Sequence, residues 1–89
     1  MIGEIVSTVT TVGELVGRLV EQDDSTVTIE SPRAFMMGEG GAGFAPGISI
    51  TGERDPKSIQ INKSHVVFMT KTSDTVEKAW MQQTSGIVI

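Results

Sequence analysis

The sequence contains no cysteine and a single histidine, His65. The first absence excludes disulfide staples and thiolate metal sites, and the second excludes a histidine-built metal centre. Positive charge is also scarce: seven Lys and Arg stand against eleven Asp and Glu, for a formal net charge of -4. Avid sequence-independent DNA binding rests on neutralising many phosphates, and this balance works against it. No apolar run approaches the ~20 residues of a membrane-spanning helix. No basic stretch precedes the first apolar residues, the first charge being Glu4. No secretory leader is therefore expected, and the default address is the cytoplasm.

What is present is a chain of 89 residues, 38% apolar and 20% charged, the composition of a folded domain rather than a disordered one. A chain of this size hides only about 60–65% of its unfolded surface, so its core is thin. With disulfides and metals excluded, oligomerisation is the remaining supplement to that core, and a homo-oligomer is expected. Neither an internal repeat nor a linker divides the chain, which reads as one domain over 1–89, with no cofactor implied.

The first twenty residues carry two conflicting patterns. Ile5, Val9, Val12, Val16 and Leu19 recur at helical spacing, yet Ile5 to Val12 is almost wholly β-branched. Such side chains lose rotamer freedom on a helix and fit a pleated surface, and Gly13 and Gly17 would each cost a helix roughly 1 kcal/mol. The strand reading wins. Thr11-Val12-Gly13-Glu14 then serves as a hairpin connection, with a glycine where positive φ is needed. A second strand runs from Leu15 to Glu21, and Gly17 inside it permits a bend or bulge. Gln22 to Ser25 is a polar turn. A third strand alternates over Thr26–Glu30 and is expected to close at Pro32.

Pro32 to Gly47 reads as a long glycine-rich loop, its densest part over 36–47. Ile48-Ser49-Ile50-Thr51 and Ser58-Ile59-Gln60-Ile61-Asn62 each alternate as strands do. Asn62-Lys63-Ser64 turns the chain into the apolar strand Val66-Val67-Phe68-Met69. One helix follows, with Asp74 as cap and Glu77 completing a capping box, or with Ser73 as the cap instead. Val76, Ala79, Trp80 and Gln83 fall on one face, and Gly86 stops the helix. Ile87-Val88-Ile89 forms an apolar tail that needs burial on its own domain or on a neighbour.

Several motifs invite chemistry and have simpler readings. Gly38-Glu39-Gly40-Gly41-Ala42-Gly43 spells G-x-G-x-x-G, but no helix follows to receive a pyrophosphate, so a projecting hairpin loop is the better account. A Walker loop fails for want of Gly-Lys-Ser/Thr. Glu21, Asp23 and Asp24 lack ligand spacing and read as a solvated acidic turn rather than a cation site. His65 has no triad context and reads as a polar residue entering a strand. Met36 and Met37 beside Phe35 suit packing, and Trp80 suits a helix anchor better than a stacking platform. No catalytic constellation is found, so an enzyme is not expected.

The strand plan, together with Gly17-Arg18-Leu19 followed by Asp23 and the stretch Ile61 to Met69, resembles the Sm-like (Lsm) family. The first group is similar to the family's first motif and the second to its second motif. The likeness covers roughly 4–70 and is greatest to divergent Sm-like proteins of marine phage origin. The resemblance implies a mainly β protein, a strongly bent five-stranded barrel over about 4–70, to which this sequence adds a short C-terminal helix and tail over 73–89. It also implies a homo-oligomeric ring that binds single-stranded, uridine-rich RNA. Residue by residue it assigns Asn62 to a base edge, Lys63 to a phosphate and His65 to stacking at the turn. The departures are specific: Asn62 and Lys63 stand where the family has Arg-Gly, and the first loop offers Thr26 or Val27 and acid in place of an asparagine.

Two functions compete. One is the RNA-binding ring, and the other is a structural or protein-interaction module with no RNA role, favoured by the net acidity and the altered site residues. In either, Ser58–Asn62 and Val66–Thr70 are expected to pair between subunits. A different barrel, the oligonucleotide/oligosaccharide-binding fold, fits the same strands.

Overall fold

The computed structural model describes residues 1–49 and 51–85. Six strands and one helix follow in order: β1 (Ile5–Thr10), β2 (Gly13–Gln22), β3 (Thr26–Gly38), β4 (Gly41–Phe44), β5 (Ser58–Asn62), β6 (Val66–Lys71) and α1 (Asp74–Ser85). All strand pairs are antiparallel, in the order β4-β3-β2-β1-β6. β5 joins β3 on the edge that β4 also uses, pairing Thr26–Glu30 where β4 pairs Phe35–Gly38. The protein is thus mainly β with a C-terminal helix, as expected, but with six strands among the described residues rather than five.

β1 is a strand, not a helix, and Gly13 takes φ +148° at the hairpin turn. The extra strand comes from the glycine-rich segment. β3 does not stop at Pro32 but runs on to Gly38 and folds back as β4, with Phe35 and Phe44 edge to face at 5.1 Å. A bulge lets Pro32 sit inside a strand. Val16 pairs with Arg33 and Arg18 with Glu30, so Gly17 alone faces both Ser31 and Pro32. The proline's missing amide costs nothing where the ladder is already interrupted. Gly17 is required there, because a Cβ would press on the Ile29 side chain and sit 2.8 Å from the Glu30 carbonyl oxygen.

Of the strand expected over Ile48–Thr51, the described residues Ile48, Ser49 and Thr51 lie in irregular chain, and Ile50 is outside the described residues. The Ser49 hydroxyl accepts the Gly52 amide at 3.0 Å, a local bond that competes with a ladder.

Two apolar clusters hold the sheet, one on each face. Val6, Leu19, Val27 and Ile29 are buried on one face, and Ile59, Ile61, Val66 and Met69 pack against them. β5 pairs with β3 and β6 with β1, on opposite sides of β2, yet their side chains share this cluster, so the sheet is strongly curled. It is not closed: among the described residues β5 pairs only with β3 and β6 only with β1.

On the other face Ile5 and Val16 are buried with Trp80, flanked by Phe35, Phe44 and Val76. This is the docking face of α1, and Trp80 is its anchor. Ala79 is half-buried beside it, while Gln83 is exposed. The Ser73 carbonyl accepts the Glu77 amide at 2.9 Å, which makes Ser73 the cap rather than Asp74. Glu77 does not close a capping box; its carboxylate holds Lys71 Nζ at 3.2 Å. That contact raises the Lys71 pKa above its ordinary value. Gly86 and the tail Ile87-Val88-Ile89 lie outside the described residues.

Candidate functional site

Asn62, Lys63 and His65 sit where β5 hands over to β6. Asn62 ends β5, and Lys63–His65 form a single 3₁₀ turn. The turn forms because the Asn62 side-chain oxygen accepts the Ser64 amide at 3.0 Å, an asparagine acting as the cap. That leaves the Asn62 amide group as donor, with its oxygen already engaged.

The turn is braced from two sides. The Lys63 amide donates to the Ser25 carbonyl at 2.8 Å, and Asn62 pairs across the ladder with Thr26. The β2–β3 and β5–β6 turns therefore lie side by side. The Thr11 amide donates to the His65 carbonyl at 3.0 Å, and the Thr11 hydroxyl is 3.4 Å from His65 Nδ1. The β1–β2 turn thus fixes His65 from the other side.

An open cleft of about 400 Å³ lies between the β1–β2 turn and the end of β5, lined by Thr11, Val12, Leu15, Ile61, Asn62 and His65. Its lining mixes the apolar Val12, Leu15 and Ile61 with the polar Thr11, Asn62 and His65. Asn62 and His65 reach it, whereas Lys63 does not line it. Ser25, Thr11 and Leu15 belong to this neighbourhood and carry no local signal of it in the sequence, since their contacts join residues tens of positions apart.

The acidic turn is organised for its own sake. One Asp23 carboxylate oxygen accepts the amides of Ser25 and Thr26, both at 2.8 Å, and the Ser25 and Thr26 hydroxyls approach the same carboxylate. These bonds, the Ser25 amide foremost, hold the Asp23 pKa below its ordinary value of 3.8. Asp23 is therefore a turn-forming residue with its acceptors engaged. Asp24 and Glu21 are exposed beside it. Among the described residues no group of three or more acidic or histidine side chains is arranged to hold a metal ion. None of the helices there is long and apolar enough to cross a membrane.

The sheet has three unpaired edges among the described residues, along β4, β5 and β6. The β6 edge carries the exposed apolar residues Val67 and Phe68. Unpaired edges with apolar side chains are templates for strand addition.

No protein-family model matches this chain, and no curated protein matches it.

Proposed function

We propose that this chain is an Sm-like, non-enzymatic cytoplasmic protein whose curled sheet acts as a strongly bent barrel, whose copies form a ring, and whose paired turns bind single-stranded RNA. The observation that carries the reading is the Lys63–Ser25 backbone bond, which sets the β2–β3 turn against the β5–β6 turn. The first motif of the resemblance ends in one of these turns and the second contains the other. Supporting it are the 3₁₀ turn between the last two strands, the cluster shared by β5 and β6, and the open edges of those strands. Pairing β5 of one copy with β6 of the next would close both edges by a heterologous contact that repeats around a ring.

In that assembly Asn62 offers amide donors to a base edge, Lys63 a charge to a phosphate, and the exposed His65 a ring for stacking. Repetition around one axis multiplies such weak contacts.

One observation favours the alternative, a structural or protein-interaction module with no RNA role. Glu21, Asp23 and Asp24 crowd the turn that touches Lys63, and a ring repeats this repulsive charge as often as it repeats the lysine.

Fluorescence anisotropy with a labelled uridine-rich oligonucleotide separates the two. The RNA reading expects binding that weakens with salt and a loss of about tenfold or more in Lys63→Glu, with assembly unchanged. Absence of binding by the unaltered protein would contradict the RNA reading and leave the interaction module.

A further inference from the structure

Three segments of chain meet at the bend of β3 and are fixed there by hydrogen bonds. The Ala45 amide donates to the Ala34 carbonyl at 2.8 Å, which holds the chain leaving β4. The Ser31 amide donates to the Lys57 carbonyl at 2.7 Å, which holds the chain entering β5. The Trp80 indole, bonded to the Ser31 carbonyl at 2.8 Å, holds α1. Between them lies a cleft of about 250 Å³ lined by Arg33, Ala45, Pro46, Arg54, Asp55 and Gln83. None of these residues belongs to the β2–β3 or the β5–β6 turn.

The chain has three arginines, and two of them line this cleft. The third, Arg18, is engaged by the protein itself, through the Gly3 carbonyl at 2.7 Å, Glu30 at 3.5 Å and the Trp80 ring. Arg33 and Arg54 are engaged far less. A guanidinium carries five N–H donors. Among the described residues Arg33 gives one to the Pro32 carbonyl at 3.0 Å, and Arg54 gives its Nε–H to the Pro46 carbonyl. The outer nitrogens of Arg54 are left for another acceptor.

Arg33 makes the stronger case. Its side chain is only 13% exposed, and its ion-pair partner Asp55 stands 3.7 Å away and is 55% exposed. That separation is well beyond the roughly 2.7–2.9 Å of a charge-assisted hydrogen bond. A guanidinium so far removed from water and so loosely countered is stabilised by a well-placed anion. With two arginines against one aspartate, the cleft is locally positive on a chain of net charge -4.

We propose that this cleft binds a phosphate group, held by the Arg33 and Arg54 guanidiniums and the Gln83 carboxamide, with Asp55 as the internal carboxylate that competes for Arg33. Planar guanidinium forks match paired phosphate oxygens. A tetrahedral phosphate also offers oxygens to β3, to the β4–β5 connection and to α1 at once, where a carboxylate has only two. Walls tied to one bend of the sheet leave little to be ordered on binding.

Inorganic phosphate is titrated into the full-length protein at constant ionic strength, balanced with chloride, and followed by proton–nitrogen correlation spectra. Saturable shifts are expected at the Ala45 amide and the Arg54 Nε–H. Arg54→Gln, at an exposed position, is expected to lower the affinity about tenfold or more. Asp55→Asn is expected to raise it several-fold by removing the competing charge. Lys63→Glu, at the candidate RNA turn, is expected to leave it unchanged, so the two sites stand or fall separately. Uridine monophosphate identifies the source of the phosphate: tighter binding than the inorganic ion assigns the cleft to a nucleotide, equal or weaker binding to the free ion. Shifts that do not saturate, equal shifts from acetate, or an unchanged affinity in Arg54→Gln would overturn the proposal. A loss of affinity in Asp55→Asn would also overturn it, since Asp55 would then support the cleft rather than compete for it.

Discussion

The indole Nε1–H of Trp80 donates to the carbonyl oxygen of Ser31 at 2.8 Å, across 49 positions of sequence. Ser31 is no ordinary strand residue: it holds φ +50° at the bulge opposite Gly17, the only described non-glycine residue with positive φ. The helix thus grips the sheet at the point where β3 bends, and Arg18, from the facing strand, lies over the indole ring at 5.8 Å. Trp80→Phe keeps most of the buried ring and removes the donor, so a loss of about 1 kcal/mol is expected from urea unfolding. Ser31→Val places a β-branched residue in the left-handed region and is expected to cost about 1–2 kcal/mol or more. Wild-type midpoints in both variants would show that the bulge does not depend on this contact.

Gly17→Ala tests the bend from the other strand. The added methyl meets the Glu30 carbonyl oxygen at 2.8 Å and the Pro32 Cα at 3.3 Å, both backbone atoms that yield only if the bulge itself shifts. A destabilisation of about 1–3 kcal/mol is expected. An unchanged urea midpoint would mean the bulge relaxes freely.

Thr8 presents the opposite case, a position where a substitution should help. Its side chain is fully buried, and its hydroxyl is without a hydrogen-bond partner among the described residues. A buried hydroxyl that gives up water for nothing costs free energy. Thr8→Val keeps the shape and removes the orphan group, so a gain of about 1 kcal/mol is expected, read as a raised urea midpoint.

Asp23 predicts a pH dependence. Its folded pKa lies below the ordinary 3.8 because the Ser25 and Thr26 amides bind the charged form. The stabilisation is therefore present above the unfolded pKa and is lost as pH falls through the folded one. Asp23→Asn removes this titration, so the stability difference between wild type and variant should be constant near neutrality and shrink below about pH 4. A difference that stays flat into acid would show that the carboxylate charge contributes nothing to the turn.

Much of the fold was legible in the sequence where local chemistry and periodicity agreed. The β-branched run over Ile5–Thr10, the alternation of Ser58–Asn62, the bend at Gly17 and the helix carrying Val76 and Trp80 are each set by nearby residues. The failures share a cause. Pro32 signals a strand end, but whether a bulge opposite Gly17 absorbs it depends on a residue fifteen positions away. The glycines of 38–43 signal a hairpin loop, and a hairpin forms, but its arms are strands that pair Phe35 with Phe44 through a contact that periodicity does not encode. Ile48–Thr51 alternates correctly, yet Ile48, Ser49 and Thr51 are not in a strand, and the Ser49 hydroxyl accepts the Gly52 amide locally instead. At the candidate site Asn62, Lys63 and His65 were singled out by the family resemblance, and the polar run Asn62-Lys63-Ser64 signalled only the turn that holds them. The neighbours contributed by Ser25 and Thr11 come from tertiary contacts alone.

The central claim is a ring closed by strand pairing between copies. Native mass spectrometry from a volatile salt solution tests it most directly, since every assembly appears as a multiple of the 9.5 kDa chain. The account predicts a single closed assembly of about five to seven subunits. A clean monomer would contradict it, removing the ring, the β5–β6 pairing and the repeated RNA-binding turns together.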